Sequence, residues 1–169
     1  MPRATIILTM FVVAFGVTTA TVANASPQTC RVVEGSMQQH LVAVRVGHHD
    51  SYDQMTFEFA EDDGVRSSPT YVLSPVDEVR ADGSGLHVDM AGDHLYQLAL
   101  HGASNYDPDP QRGPRQFQPG FPTLVDARQV GDFEAVVSWG IGVVSPICPI
   151  VAELQNPPRL VLKFPPRLT

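Results

Sequence analysis

Basic side chains, cysteines and charge in general are scarce in this sequence. Its 169 residues include 11 Lys and Arg against 18 Asp and Glu, for a formal net charge of −7, and only 17% are charged. This balance argues against a nucleic-acid-binding protein, because neutralising phosphates requires a surplus of Lys and Arg. Complete disorder is excluded as well. With 43% hydrophobic residues, the chain can bury enough apolar surface to offset the entropy of ordering.

Residues 1–25 have the pattern of a secretory signal peptide. One basic residue precedes a short apolar run (6–17), and an A-x-A cleavage site follows at 23–25. The run is shorter than the roughly 20 residues that span a bilayer, which argues against a transmembrane anchor. No lipobox precedes Cys30, which argues against a lipid anchor. We therefore expect an exported mature chain of 144 residues (169 minus 25) with no stable membrane anchor after cleavage.

Cys30 and Cys148 are the only cysteines. An even number in an exported chain is typical of a disulfide, which would here join positions 118 residues apart (148 minus 30). The alternatives are a reactive Cys148 nucleophile or a thiolate metal site. They are disfavoured because Pro146-Ile147-Cys148-Pro149 offers no basic neighbour or helix N-terminus to stabilise a thiolate.

Alternating apolar and polar residues predict strands along most of the mature chain. The clearest example is Met55, Phe57 and Phe59 with Thr56 and Glu58 between them. Fifteen prolines disfavour a helical bundle, and Gly- and Asp-rich turns separate the segments. We predict an all-β fold, a β-sandwich of about nine short strands. They are expected at 41–46, 55–59, 71–73, 86–90, 94–101, 125–130, 135–139, 150–154 and 160–164.

Residues 103–122 interrupt this rhythm with five prolines, so they cannot form a central strand. The segment is either a linker between subdomains or a long ordered loop. The limited length of the chain favours the loop, and long loops in compact domains are often binding elements.

No motif for catalysis, a metal or a cofactor is found. The sequence lacks a G-x-S-x-G elbow, an H-E-x-x-H helix and a phosphate-binding glycine loop. His48 and His49 are expected in a polar turn, and the acidic clusters at 61–63 and 107–109 do not have the spacing of a calcium-binding loop. A glycoside hydrolase needs two carboxyl groups placed across a cleft, and the sequence does not identify such a pair. We therefore predict no enzyme activity, no metal and no cofactor.

Three segments resemble the bacterial AMIN-like domain. In order they are VRVGHHDSYDQMTFEF (44–59), GDFEAVVSWGIG (131–142) and LQNPPRLVL (154–162). The resemblance implies an envelope-targeting β-sandwich, related to the amidase N-terminal domain, that binds peptidoglycan or another envelope component without catalysis. Two positions depart from the usual pattern: Gln54 stands where Arg is common, and Lys163 where Asp is frequent. The domains are then a signal peptide (1–25), an N-terminal extension carrying Cys30 (26–40) and the AMIN-like domain (41–169).

Six residues are candidates for ligand binding: His49, Tyr52, Asp53, Tyr106, Trp139 and Arg159. Tyr52 and Tyr106 occur in loop contexts that suit stacking on a sugar. Trp139 could stack in the same way, but its apolar strand neighbours favour a place in the core. Arg159 could recognise a carboxylate on a peptide stem or, structurally, pair with a carboxylate such as Asp53 or Asp132.

The leading hypothesis is a secreted, non-catalytic module that binds a cell-wall polymer or an envelope protein. The main alternative is a protein–protein interaction module or effector that uses the 103–122 loop. A third possibility, an unrecognised hydrolase, would show as turnover of wall fragments. The oligomeric state is not predicted.

Overall fold

The regular structure in the described part of the chain consists of strands. The computed structural model describes residues 30–33, 39–60, 68–104 and 114–166, so the expected signal peptide lies outside the described residues. Within these ranges there are thirteen strands and no helix. The strands are β1 (Arg31–Val33), β2 (Gln39–His49), β3 (Tyr52–Phe59), β4 (Thr70–Val76), β5 (Val79–Arg80), β6 (His87–Val88), β7 (His94–His101), β8 (Ala103–Ser104), β9 (Gln116–Phe117), β10 (Leu124–Phe133), β11 (Val136–Val143), β12 (Ile150–Leu154) and β13 (Arg159–Phe164).

Two sheets contain most of these strands, which confirms the all-β prediction. One has six strands in the order β1-β4-β7-β11-β10-β9, and the other has five in the order β12-β13-β3-β2-β8. Eight of the nine predicted strands match the longer elements, and the ninth, expected at 86–90, is reduced to β6. The additional strands, β1, β5, β8 and β9, have two or three residues. Such strands are too short to show an alternating pattern.

The two large sheets face each other across one hydrophobic core. Alternation along β3 turns Met55, Phe57 and Phe59 inward, and all three are fully buried. The Phe57 ring meets the indole of Trp139, on β11, edge-on with 5.6 Å between ring centroids. Edge-to-face contact is a favoured geometry for aromatic pairs. The residues that alternate in the sequence therefore form the interior of a β-sandwich.

A disulfide between Cys30 and Cys148 joins the two sheets at one lateral side, as predicted. Cys30 precedes β1, the edge strand of the six-stranded sheet, and Cys148 precedes β12, the edge strand of the five-stranded sheet. The Cα atoms are 5.6 Å apart, and the Cys30 N–H donates to the Leu73 carbonyl at 2.7 Å. The bridge therefore ties together edge strands of opposite sheets. It fits an extracytoplasmic location.

Glycines let the two ends of residues 79–91 pack closely on the outer face of β11. A Cβ at Gly140 would overlap Met90 and Val79, and a Cβ at Gly142 would overlap the Ala91 carbonyl oxygen. As a result β11 is buried on both faces along most of its length.

Asp126 anchors this covering segment from the neighbouring strand β10. Its carboxylate is fully buried and accepts the Ala91 N–H at 3.1 Å. It also accepts two hydrogen bonds from the Arg128 guanidinium, at 2.8 and 3.0 Å. This hydrogen bonding raises the pKa of Arg128 above its ordinary value. Because the charge of Arg128 offsets that of Asp126, the carboxylate can be buried beneath the segment.

Replacing Gly142 with alanine is expected to lower the free energy of unfolding by about 1–3 kcal/mol, because the Ala91 backbone has to move. Urea denaturation followed by tryptophan fluorescence measures the change. Gly47→Ala is the matched control, since its Cβ would meet only the His49 ring, at 4.0 Å. Equal stability of Gly142→Ala and Gly47→Ala would contradict the close packing.

Candidate binding face

Side chains that alternate with the core residues form the outer face of the five-stranded sheet. On β3, Gln54 lies opposite Lys163 and Glu58 lies opposite Arg159, both on β13. On the other side, Arg45 of β2 pairs in register with Thr56. We use the term outer face for the surface formed by Arg45, His49, Tyr52, Gln54, Glu58, Arg159 and Lys163. Three adjacent strands thus bring together residues more than a hundred positions apart.

Tyr52 lies at one end of the outer face, where its ring contacts two other side chains. It begins β3, immediately after the turn that follows β2. The His49 ring lies 4.5 Å from the Tyr52 ring, between centroids, and the Lys163 Nζ lies 4.9 Å from the same centroid. A cation over an aromatic face contributes about 0.5–1 kcal/mol at an exposed site. These contacts hold the Tyr52 ring in a defined orientation at the surface.

Only some of the charged side chains of the outer face form ion pairs with described residues. Arg45 forms an ion pair with Glu58 at 2.6 Å, and this hydrogen bond raises the pKa of Arg45 above its ordinary value. Arg159 and Lys163 form no ion pair with any residue that the structure describes. In a chain with a net charge of −7, this face therefore has two cationic side chains free of described acidic partners.

Asp53 lies on the opposite side of β3, at the inner margin of the sandwich. Its carboxylate is 1% exposed. Oδ2 accepts the backbone N–H groups of Thr123 and Leu124 at 2.6 and 2.8 Å, and Oδ1 lies 2.7 Å from Nδ1 of His48. Asp53 therefore holds the start of β10 against β3 and is occupied by protein groups. The alternation with buried Met55 signals this inward orientation, but the backbone partners have no local sequence signal.

Trp139 lies in the core, which corrects its place among the candidate ligand contacts. The indole is 1% exposed. It packs against Phe57 and against the ring of Phe117, whose plane is inclined by 29° with 6.1 Å between centroids. Neither face of the indole is available for stacking on a sugar. Trp139 therefore has the core position that its apolar strand neighbours favoured.

The Pro-rich segment contains a short strand on each side of its undescribed residues. Residues 103–104 form β8 and residues 116–117 form β9, while Tyr106 lies outside the described residues. Phe117 contributes to the core through Trp139. A deletion that includes Phe117 would therefore disturb the fold, so it does not test the segment as an independent binding element.

Arg159 does not form the ion pair with Asp53 that the sequence suggested. It lies opposite Glu58, whereas Asp53 lies opposite Phe164, five residues further along β13. Asp132, the other suggested partner, belongs to β10 in the opposite sheet. Nε of Arg159 is buried without a hydrogen-bond partner among the described residues. The outer face thus includes His49, Tyr52 and Arg159 of the six candidates, and Lys163 joins them through the sheet register.

A separate cleft of about 740 Å³ opens beside the start of β7. Tyr96 lines it, and burial raises the pKa of that phenol. Asp77, Glu78 and Asp93 also line it, with Glu78 ion-paired to Arg80. Among the described residues, no three His, Cys, Asp or Glu side chains are placed to hold a metal ion. None of the five candidate residues that the structure describes lines this cleft.

The fold and the outer face define an all-β sandwich domain with a polar and aromatic sheet surface. A family model, the AMIN-like domain, matches residues 39–165, and the chain belongs to this family. Domains of this family are generally non-catalytic binding modules associated with the cell envelope. No curated protein and no solved structure matches the chain. Among the described residues, no helix has the length and apolar character needed to cross a membrane.

Proposed function

We propose that this protein is an exported, non-catalytic module that binds peptidoglycan through the outer face. The observation that carries the proposal is the placement of Tyr52 beside Lys163, with Arg159 along the same surface. Membership of the AMIN-like family and the disulfide support an envelope location. The signal-peptide pattern of residues 1–25 supports export.

The chemistry of the outer face suits a polymer of sugars with peptide stems. The Tyr52 hydroxyl can hydrogen-bond to a sugar, and the part of the ring that His49 and Lys163 leave uncovered offers an apolar surface to its C–H face. Lys and Arg side chains bind the carboxylates of peptide stems through charge-assisted hydrogen bonds. The net charge of −7 would repel an anionic wall polymer. The cationic side chains of the outer face counter this repulsion locally. Binding is therefore expected to weaken as the salt concentration rises.

Co-sedimentation with insoluble peptidoglycan tests the proposal. We expect the wild-type chain to sediment with the polymer, and Tyr52→Ala/Lys163→Ala to bind at least tenfold more weakly. This variant removes the aromatic surface and one cation from a half-buried site. Arg80→Ala is the control, because Arg80 is an exposed cation on β5, outside the outer face.

Complete recovery of the wild-type chain in the soluble fraction would reject peptidoglycan as the ligand. An equal loss of binding in Arg80→Ala would reject the outer face as the site. Incubation of soluble wall fragments with the chain, with and without EDTA, tests the absence of catalysis. Fragment turnover would contradict it.

A further inference from the structure

The cleft beside the start of β7 lies where the covering segment, residues 79–91, leaves and rejoins the six-stranded sheet. Residues 75–78, around the end of β4, form one wall, and residues 92–96, around the start of β7, form the other. Val76 and Leu95 pair in register, so the two walls belong to neighbouring strands. The volume of about 740 Å³ is in the range of small-molecule sites.

Close packing on β11 fixes the position of both walls. Val79, which directly follows the first wall, is fully buried, and a Cβ at Gly140 would overlap its side chain. Gly92, within the second wall, has a φ of +127°, and a Cβ there would overlap the backbone nitrogen of Val143. Glycine alone combines this backbone conformation with so close an approach. The cleft therefore has walls of defined position rather than two independent loops.

The side chains that line the cleft make it acidic. Its titratable lining residues include Asp77, Glu78, Asp93 and His94, and no described residue that lines it is Lys or Arg. Glu78 is ion-paired with Arg80. Asp77 and Asp93, one on each wall, form no ion pair with any described residue. Because a cleft lined by charges of one sign concentrates ligands of the opposite sign, this cleft favours a cation.

Tyr96 supplies an uncharged polar group to the same cleft. Its side chain belongs to the core and is only 1% exposed, yet it lines the cleft. The hydroxyl forms no hydrogen bond with a described residue, and it is not one of the fully enclosed polar atoms. It therefore opens onto the cleft, where its lone pairs can accept a hydrogen bond from a ligand. Burial raises the pKa of this phenol, so the hydroxyl is neutral at pH 7.

Apolar side chains complete the cleft and limit the ligands that suit it. Pro75, Leu95 and Pro146 line it beside the polar groups. Their side chains have no hydrogen-bonding group, so they suit the methylene groups of a ligand. An anion would be repelled by the two unpaired carboxylates. A ligand that matches the carboxylates, the hydroxyl and the apolar side chains together has a cationic hydrogen-bond donor on an aliphatic chain.

We propose that this cleft binds a primary ammonium group on an aliphatic chain, with Asp77 and Asp93 supplying the opposite charge and the Tyr96 hydroxyl accepting a hydrogen bond. Two sources carry this group, a free diamine and the side chain of a diamino acid in a peptide. Asp77 and Asp93 are exposed, and exposed charge pairs are individually weak, so we expect millimolar affinity at low salt. The inference goes beyond the peptidoglycan proposal and does not depend on it, because the cleft shares no residue with the outer face.

Titration of the disulfide-bonded full chain with cadaverine, an aliphatic diamine, followed by nuclear magnetic resonance at low salt, tests the proposal. The amide signals of residues 76–78 and 92–96 should shift in a saturable way. The uncharged pentanediol of the same length should not shift them, because it lacks the ammonium groups. A second titration uses lysine with its α-amino and carboxyl groups blocked. Whichever amine binds more tightly identifies the source, a free diamine or a diamino-acid side chain.

Asp77→Asn/Asp93→Asn should weaken cadaverine binding at least fivefold, because it removes both unpaired carboxylates. Asp50→Asn/Asp132→Asn is the matched control. It changes the net charge equally at two exposed positions outside the cleft and should bind like the wild-type chain. Tyr96→Phe keeps the ring in the core and removes only the hydroxyl, so it should weaken binding roughly threefold while the chain stays folded in urea denaturation.

Unchanged amide signals at tens of millimolar cadaverine would overturn the inference, as would equal weakening in the two double variants. Shifts of the same amides with calcium chloride but with neither amine would also overturn it, because they would assign the carboxylates to a metal ion. Unchanged binding in Tyr96→Phe would contradict the role of the hydroxyl. Loss of peptidoglycan binding in Tyr52→Ala/Lys163→Ala leaves the cleft assignment unaffected, since neither residue lines the cleft.

Discussion

Replacing Asp53 with alanine is expected to lower the free energy of unfolding by about 2–5 kcal/mol. The carboxylate is buried and accepts the N–H groups of Thr123 and Leu124. Alanine would leave both donors without an acceptor in a site closed to water, and each such group costs about 1–3 kcal/mol. Urea denaturation followed by fluorescence measures the loss, because Trp139 is the only tryptophan and lies in the core.

Two further variants separate the role of Asp53 from a general effect of losing a carboxylate. Asp53→Asn keeps one acceptor oxygen but removes the charge, so its stability should lie between those of the wild-type chain and Asp53→Ala. Asp50→Ala removes an exposed carboxylate three residues away and should change stability by less than about 0.5 kcal/mol. If Asp53→Ala were as stable as Asp50→Ala, the Asp53 contacts would not hold the two sheets together.

Removing the disulfide is expected to have an effect of similar size. Cys30→Ser/Cys148→Ser should lower the free energy of unfolding by about 2–5 kcal/mol. The bridge spans 118 residues, so it restricts the unfolded chain over most of the described sequence. In the folded state the variant also loses the covalent link between the edge strands β1 and β12.

Reduction provides an independent check on the same bond. A thiol reductant should lower the stability of the wild-type chain to that of Cys30→Ser/Cys148→Ser and leave the variant unchanged. Mass spectrometry of the non-reduced chain, after alkylation in denaturant, should find no free thiol. Two alkylated cysteines would contradict the disulfide.

The strands could be predicted from sequence wherever burial on one side of a strand imposes a period of two. The alternation from Met55 to Phe59 identifies β3 without any knowledge of its partners. By contrast, β1 and β9 are three and two residues long. They are strands only because β4 and β10 provide hydrogen-bonding partners far along the chain. Such pairing leaves no local periodicity to detect.

The candidate site shows the same limit. His49 and Tyr52 flank one turn, so their proximity follows from the sequence. Lys163 stood out only as a departure from the family pattern, and its position over Tyr52 depends on the register between β13 and β3. The inward direction of Asp53 follows from alternation, but its backbone partners lie seventy residues away. The local sequence pattern thus predicts the face of the strand on which a side chain lies. The pairing of strands that are distant in sequence decides which residues that side chain contacts.

The packing of residues 79–91 on β11 makes the two sides of the sandwich unequal. Gly140 and Gly142 lie beneath this segment, so this part of the six-stranded sheet is closed to large ligands, whereas the outer face of the other sheet is open. With a polymer bound at the outer face, as proposed, the covered part of the opposite sheet does not offer a second such surface, so we do not expect the domain to bridge two strands through opposite sheets. Cross-linking of wall strands by this protein would require either two joined domains or a partner bound elsewhere on the domain.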